Sequence, residues 1–203
     1  MIDEGLVMKL AVPCATLWLL FAATPAAAQM KVLRLDYVEV RDTKSAQGQQ
    51  LRSVMTFTVL RAPDGRQRTE KIDPDLSLHI VEVFDFVRDV HIRMDMKRKI
   101  AVRQRGQAAR FEQLRAQVGT TPKQELGTRI MQGFECHGSR YVDQSAEAWV
   151  CRDPGSALPF FGSVSAQSPT GGIFRMDLQR VTRDFDVDPS IFEIPVGFRI
   201  IDQ

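Results

Sequence analysis

Residues 32–41 read VLRLDYVEVR, and apolar and polar side chains alternate along much of this stretch. Leu33, Leu35 and Tyr37 fall on one side of an extended chain, whereas Arg34 and Asp36 fall on the other. A period of two is what an antiparallel strand requires when one face is buried and the other meets water. The stretch therefore predicts a β-strand, and it decides the fold class.

The same period recurs at residues 51–60, 90–96, 100–103 and 174–179. Residues 76–87 are richer in apolar side chains, which predicts a central strand covered on both sides. Hairpin turns separate the strands, as at residues 62–65 (Ala-Pro-Asp-Gly), where proline fixes one dihedral and glycine accepts a positive φ. We predict roughly eight to ten antiparallel strands, a number that must curl or close to protect the sheet edges.

One stretch departs from this period. Residues 107–118 place Ala108, Phe111, Leu114 and Val118 at helical spacing and end before Gly119. This pattern predicts a short amphipathic helix near the middle of the sequence. The expected fold is therefore mainly β within the α+β class: a curved antiparallel sheet or half-barrel whose concave face one helix could line, leaving room for a binding cavity.

The N-terminal residues have the pattern of an export signal. Residues 10–28 carry no charge, and Lys9 stands just before them. The apolar part is shorter than the roughly 20 residues of a membrane span, and it ends in three alanines of the kind that signal peptidase accepts. We predict a signal peptide at residues 1–28, cleaved after Ala28, and a single periplasmic domain at residues 29–203. Asp3 and Glu4 are unusual in such a signal, so Met8 is an alternative start to Met1.

The charge balance argues against a nucleic-acid surface, since 27 Lys and Arg face 25 Asp and Glu. Two local basic clusters stand out, and solvated hairpin ends explain both. The alternative is transient contact with anionic headgroups at a membrane surface, worth about 1 kcal/mol per basic residue. The clusters are Lys97, Arg98 and Lys99 with Arg103 and Arg105, and Arg66, Arg68 and Lys71.

Two cysteines remain after the predicted cleavage, an even number in an oxidising compartment. Cys136 and Cys151 lie on two predicted neighbouring strands joined by a short connection. We predict a structural disulfide, which would stabilise the fold by roughly 3 kcal/mol in the chain-entropy model. A redox-active pair is the alternative, but it is better served by closely spaced thiols at a helix N-terminus.

The search for catalytic groups is negative. His79, His91 and His137 lie on different predicted strands without a metal-ligand partner at short spacing. His91 alternates with Arg93 and Asp95, which predicts a solvent-facing side chain. We therefore expect no catalysis, no metal and no cofactor, although His79 and His91 together with carboxylates in one cleft would favour an enzyme.

Methionines and phenylalanines on the apolar faces of several strands suggest a ligand-binding role. Thioether side chains adapt to flexible apolar ligands, but they also fill ordinary cores. The hypothesis is that these side chains line a hydrophobic cavity for an acyl chain or another lipid-like ligand. The predicted lining is Met55, Phe57, Met94, Met96, Phe174 and Met176.

The C-terminal half resembles a known family. It contains LGTRIMQGFECHGSR at residues 126–140, EAWVCRDPG at 147–155, FRMDLQRV at 174–181 and DVDPSIFEIPVGFRIID at 186–202. These segments are similar to the LolA-like superfamily of periplasmic lipoprotein-carrier half-barrels, and most of all to uncharacterised exported bacterial members. The resemblance implies a curved antiparallel sheet covering helices and, in characterised relatives, the carriage of acyl chains.

These observations predict a non-catalytic periplasmic protein that binds a lipid, an acyl chain or a lipidated protein, and that is a monomer. The alternative is an envelope sensor or protein-interaction domain that uses the same half-barrel without carrying a ligand. The C-terminal segment has a further role in either case. Phe192 and Ile194 are expected to insert under the sheet and close the core.

Overall fold

The computed structural model describes residues 29–44, 48–73, 76–106, 123–141, 146–154, 159–168 and 171–203. The predicted signal peptide, residues 1–28, and the predicted helix, residues 107–118, lie outside the described residues. Within the described part of the chain, the helical structure is one 3₁₀-helix, Pro189–Phe192.

The described residues form twelve strands in one curved sheet. This is more than the eight to ten that the sequence pattern predicts. The strands are β1 Met30–Lys44, β2 Gln50–Arg61, β3 Arg66–Asp73, β4 Leu78–Asp85, β5 Val90–Asp95, β6 Ile100–Arg105, β7 Lys123–Met131, β8 Phe134–Tyr141, β9 Ala146–Cys151, β10 Phe160–Gln167, β11 Ile173–Val187 and β12 Arg199–Asp202.

The sheet consists of two meanders. Strands β1 to β6 follow one another in order, as do β7 to β11, and the long strands β1 and β11 join the two meanders side by side. Strand β12 then pairs in parallel with β6, so the sheet is mixed and the expectation of a purely antiparallel sheet was wrong. The parallel pair arises because the segment after β11 crosses the sheet and returns along the edge of β6.

Local sequence fixes the turns. The predicted turn at residues 62–65 is present, with Gly65 at a φ of 88° and its N–H donating to the carbonyl of Ala62. Between β7 and β8, Gln132 and Gly133 both have positive φ, the conformation of a two-residue turn suited to twisted hairpins. Carboxylates at the ends of β4 and β5 accept from two turn N–H groups each, which satisfies donors that the strands leave free.

The sheet bends towards the face that carries Tyr37. The Tyr37 hydroxyl donates to the carbonyl of Phe161 across β11, at 3.0 Å. Arg61 reaches farther: its guanidinium donates to the carbonyl of Pro159, at 2.9 Å, across both β1 and β11. Adjacent strands are about 4.8 Å apart, so neither side chain would bridge these strands in a flat sheet. We call the Tyr37 side the concave face and the Asp36 side the convex face.

Two apolar clusters form the core, and they lie on opposite faces. The first cluster is on the concave face and is built around Leu35, Tyr37, Phe57, Phe160 and the two cysteines. The second is on the convex face of β1–β6, where the C-terminal segment packs against the sheet. Its members are Val32, Leu60, Val81, Val83, Met94, Ala101, Val187 and Phe192.

The C-terminal segment closes the core as predicted. Phe192 is 3% exposed and belongs to the second cluster, with Ile194 packed against it. The 3₁₀-helix that presents Phe192 is capped by Asp188, whose carboxylate accepts from the N–H of Ser190 at 2.8 Å. Arg103 then holds β12 at the edge through two hydrogen bonds to Asp202.

Candidate functional site

Four of the six predicted lining residues share the concave face. They flank β1 in successive rows: Met55 and Met176 both lie opposite Glu39, and Phe174 lies opposite Arg41. Phe57 lies opposite Tyr37, and the two rings stack with centroids 5.0 Å apart. The four side chains therefore lie on one face in two columns, on β2 and on β11, with Glu39 and Arg41 of β1 between them, and we call them the Met–Phe tract.

The other two predicted lining residues are elsewhere. Met94 lies opposite Val81 and Ala101 on the convex face, where it is 1% exposed. Met96 packs against the same convex cluster. These two methionines therefore fill the core beneath the C-terminal segment and do not join the Met–Phe tract.

A carboxylate is buried within the Met–Phe tract. Glu39 is 4% exposed, and its carboxylate accepts from the guanidinium of Arg41. The Arg41 guanidinium also lies 5.7 Å from the centroid of the Phe174 ring. A buried carboxylate needs such a partner, because an unpaired one would be costly in an apolar environment. The pair is a polar feature of the concave face that the sequence pattern did not single out.

The concave face is densely packed beside β8, β9 and β10. The Cys136–Cys151 disulfide is present, and both cysteines are fully buried. Phe134 and Phe160 meet edge to face in the same cluster. Gly138 leaves room for the Trp149 ring, since a Cβ at this position would lie 2.7 Å from that ring. This end of the concave face is filled by the protein's own side chains.

The concave face of β3–β6 carries a group of charged side chains beside the apolar Ile80 and Phe84. Register places Thr69, Glu82 and Arg93 side by side, and places Lys71 opposite Phe57. His91 stacks on Phe84 with ring centroids 4.2 Å apart, and its side chain is 15% exposed. The prediction of a solvent-facing His91 was therefore wrong, because the adjacent Phe84 ring covers it.

Glu82 is the acidic centre of this polar region. Its Oε1 lies 3.7 Å from Nε2 of His91. His91, with smaller contributions from Lys71 and Arg93, lowers the pKa of the Glu82 carboxyl against the opposing effect of its burial. Nearby cations favour the charged form of a carboxyl group. Glu82 is therefore held as a carboxylate among cations.

Tyr37 has a structural role at the centre of the sheet. Its hydroxyl is used in the hydrogen bond to Phe161, and burial raises the pKa of the phenol above its ordinary value. A buried phenol with a raised pKa stays neutral, and a neutral phenol is a poor base. Tyr37 thus shapes the concave face rather than offering reactive chemistry.

An open depression of about 420 Å³ lies on the convex side of the central strands. Its polar groups already bind one another: Arg34 donates to Asp36, and Thr58 donates to the same carboxylate at 2.8 Å. Glu70, also in the lining, is 2.7 Å from Nε2 of His79. Except for Phe57, the predicted lining residues are not part of this depression.

The histidines do not converge. His79 lies on the convex face beside Glu70, whereas His91 lies on the concave face beside Glu82. His137 is exposed and 3.4 Å from Glu135. Within the described ranges, no three His, Cys, Asp or Glu side chains are grouped as a metal site would require. The cleft that would favour an enzyme is not formed by His79 and His91.

Half of the residues in the predicted basic clusters are engaged with neighbouring carboxylates. Arg66 binds Asp64, and Arg68 binds Glu70. At the other cluster, Arg98 lies 3.6 Å from Asp95, and Arg103 binds Asp202. This pattern agrees with solvated hairpin ends. Among the described helical residues, none belongs to a helix long and apolar enough to cross a membrane.

The fold is similar to solved structures, although no family model and no curated protein matches the sequence. An uncharacterised conserved protein from Thermus thermophilus is 9% identical, with a TM-score of 0.52 over 83% of this chain and 90% of that chain. A LolA superfamily protein from Nitrosomonas europaea is 11% identical, with a TM-score of 0.35 over 81% of this chain and 90% of that chain. The likeness to the Thermus protein shows a shared fold.

Proposed function

We propose that this chain is an exported, non-catalytic binding protein that carries an acyl chain, a lipid or a lipidated protein on its concave face. The observation that carries the proposal is the Met–Phe tract: Met55 and Phe57 on β2 and Phe174 and Met176 on β11 lie on one face and flank β1. Flexible thioethers beside aromatic rings suit an apolar ligand of variable shape. The proposed lining keeps these four residues and omits Met94 and Met96.

Two further features support export. The Cys136–Cys151 disulfide is compatible with an oxidising compartment such as the periplasm. The sequence at residues 1–28 has the pattern of a cleaved signal peptide. The resemblance of the C-terminal motifs to the LolA-like superfamily agrees with both features and with a lipid-related cargo.

Native mass spectrometry of gently purified protein tests the proposal directly, together with titration of a fluorescent fatty acid. We expect a bound lipid-like mass and saturable uptake of the fluorescent probe. The double variant Phe174→Ser/Met176→Ser should weaken uptake roughly tenfold, because it removes apolar contact area. The matched control Val54→Ser/Ile173→Ser changes two exposed apolar residues on the convex face and should bind like the parent protein. Apo protein without uptake, or equal loss in both variants, would contradict the proposal.

The convex face supports a second candidate function, the recognition of a protein partner. Val54 and Ile72 are 56% and 49% exposed there, and register places Val54 opposite Val40. These side chains border the open depression, to which Val38 and Ile72 contribute. Exposed apolar patches of this kind often mark interaction sites.

A photo-crosslinking residue introduced at Val54 in the producing cell tests partner recognition. We expect one discrete adduct from that position and none from Val87, an exposed valine at the β4–β5 turn. Equal adducts from both positions would count against a specific partner. If the protein with the crosslinking residue at Val54 gives an adduct and still takes up lipid, the convex face binds the partner independently of the concave face.

A further inference from the structure

The Met–Phe tract ends at a group of charged side chains on the same face. Lys71 marks the boundary, because it lies opposite Phe57 and its ammonium is 5.4 Å from the centroid of that ring. Beyond Lys71 lie Glu82 on β4 and Arg93 on β5, which are partners in the register of the two strands. His91 completes the group, 3.7 Å from Glu82. We call Lys71, Glu82, His91 and Arg93 the concave charge cluster.

The two basic side chains of the concave charge cluster have no ion-pair partner. In the described part of the chain, neither Lys71 nor Arg93 has a carboxylate within 4.0 Å. Glu82 is the carboxylate between them. Three further carboxylates of this face have partners of their own: Asp95 lies near Arg98, Glu39 accepts from Arg41, and the buried Asp73 accepts from the N–H of Leu76. Lys71 and Arg93 therefore face the concavity without a carboxylate in ion-pair contact.

The cluster is also incompletely hydrogen-bonded. Nε2 of His91 is buried, and among the described residues it has no hydrogen-bond partner. Its distance of 3.7 Å from Glu82 is too long for a hydrogen bond. Buried polar atoms usually have a partner, so this one needs an explanation. On the convex face, by contrast, Arg34 and Thr58 both donate hydrogen bonds to the Asp36 carboxylate.

We infer that the concave charge cluster binds the anionic headgroup of an amphiphile whose acyl chain lies along the Met–Phe tract. This inference rests on the proposed function and narrows it to one ligand class, an acyl chain that ends in a carboxylate or a phosphate. Lys71 and Arg93 supply the charge, and the planar guanidinium of Arg93 suits two oxygen atoms at once.

Fluorescence titration with two probes of the same length tests the inference. The probes are 11-(dansylamino)undecanoic acid, which is an anion, and its neutral methyl ester. We expect the parent protein to bind the acid roughly tenfold more tightly than the ester, as expected for charge-assisted hydrogen bonds. Lys71→Gln/Arg93→Gln should bind the acid about as weakly as the ester, with an unchanged affinity for the ester. Added salt should weaken only the binding of the acid.

A matched control separates a local effect from a change of net charge. Lys97→Gln/Arg105→Gln removes two exposed cations outside the concave charge cluster and should retain the preference for the acid. Competition by palmitate against hexadecyl phosphate identifies which anion is preferred, and either preference supports the inference. Equal affinity of the parent protein for acid and ester would overturn it, as would an equal loss in the control variant. Binding of neither probe would overturn the proposed function itself.

Discussion

The outer strands of the two meanders bury apolar side chains on opposite faces of the sheet. Strands β8–β11 pack their concave face around the disulfide, Phe134 and Phe160, whereas β2–β6 bury their convex face under the C-terminal segment with Phe192. The central strands β1, β2 and β11 contribute to both clusters, as Leu35 on the concave side and Val32 on the convex side show for β1. A curved sheet of this size is thus stabilised from both sides, and the concave face of β3–β6 keeps a group of charged side chains beside Ile80 and Phe84.

The two meanders also use different means to hold their clusters together. One is cross-linked covalently at Cys136 and Cys151, between neighbouring strands. The other relies on a returning chain segment that inserts Phe192 and then adds β12 to the edge strand β6. Each device should therefore stabilise its own meander, and the following changes test this.

Phe192→Ala should have the largest effect on stability. Phe192 is almost fully buried in the convex cluster, and the truncation of a buried phenylalanine costs about 3–5 kcal/mol. The free energy of unfolding, measured by urea denaturation, should fall by about that amount. Val196→Ala, at a fully exposed position further along the same segment, should stay within about 0.5 kcal/mol of the parent protein. A loss below about 1 kcal/mol for Phe192→Ala would mean that the segment rests on the sheet without anchoring it.

The closing role of the C-terminal segment was predictable from its sequence, but the side of the sheet that it covers was not. Asp188 and Pro189 signal a turn, and Phe192 and Ile194 signal insertion into a core. The parallel pairing of β12 with β6 depends on where the chain returns, which residues 199–202 alone do not specify. Alternation of apolar and polar side chains predicted most of the strands. It could not show which face of the sheet the apolar side of each strand lies on.

Met94 and Phe57 illustrate this limit. Each lies on the apolar side of its own strand, so the sequence places both in one lining. The register runs from Phe57 through Lys71 and Ile80 to Asp95, so the concave residue of β5 at that level is Asp95 and not Met94. Period-two patterns identify a buried side for each strand, but only the pairing shows whether two buried sides coincide. The concave charge cluster escaped sequence analysis because its residues come from three strands.

Removal of the disulfide should have the second-largest effect. Cys136→Ser/Cys151→Ser opens a link between residues 15 apart, for which the chain-entropy model gives roughly 3 kcal/mol. Urea denaturation of the parent protein with and without a reducing agent should show the same loss. Reduction should leave the stability of the double variant unchanged, which controls for effects of the reagent on the rest of the protein. An unchanged unfolding midpoint after verified reduction would contradict a stabilising role.

Gly138→Ala should have a smaller effect, confined to the same meander. The new methyl group would lie 2.7 Å from the Trp149 ring, and such overpacking typically costs about 1–3 kcal/mol. Trp149 fluorescence in the protein that lacks residues 1–28 should change, because the ring must move. Ser139→Ala, at the neighbouring buried position of β8, adds no volume and should leave the fluorescence unchanged. An unchanged spectrum in both variants would show that the ring is not held against Gly138.

Glu82→Gln probes the polar concave face of the other meander and should have the smallest effect. The pKa of Glu82 in the folded protein is lowered, chiefly by His91, so its carboxylate adds stability at neutral pH. That contribution is present above the ordinary glutamate pKa of about 4.3, and it is lost as the pH falls through the lower pKa of the folded state.

The parent protein should exceed Glu82→Gln in free energy of unfolding by less than about 1 kcal/mol at neutral pH, because the side chain is partly exposed. The difference should shrink as the pH is lowered below that value. A difference that grows towards acid pH would mean that the Glu82 carboxylate destabilises the fold, and the balance of charges assigned to the concave face would then be wrong.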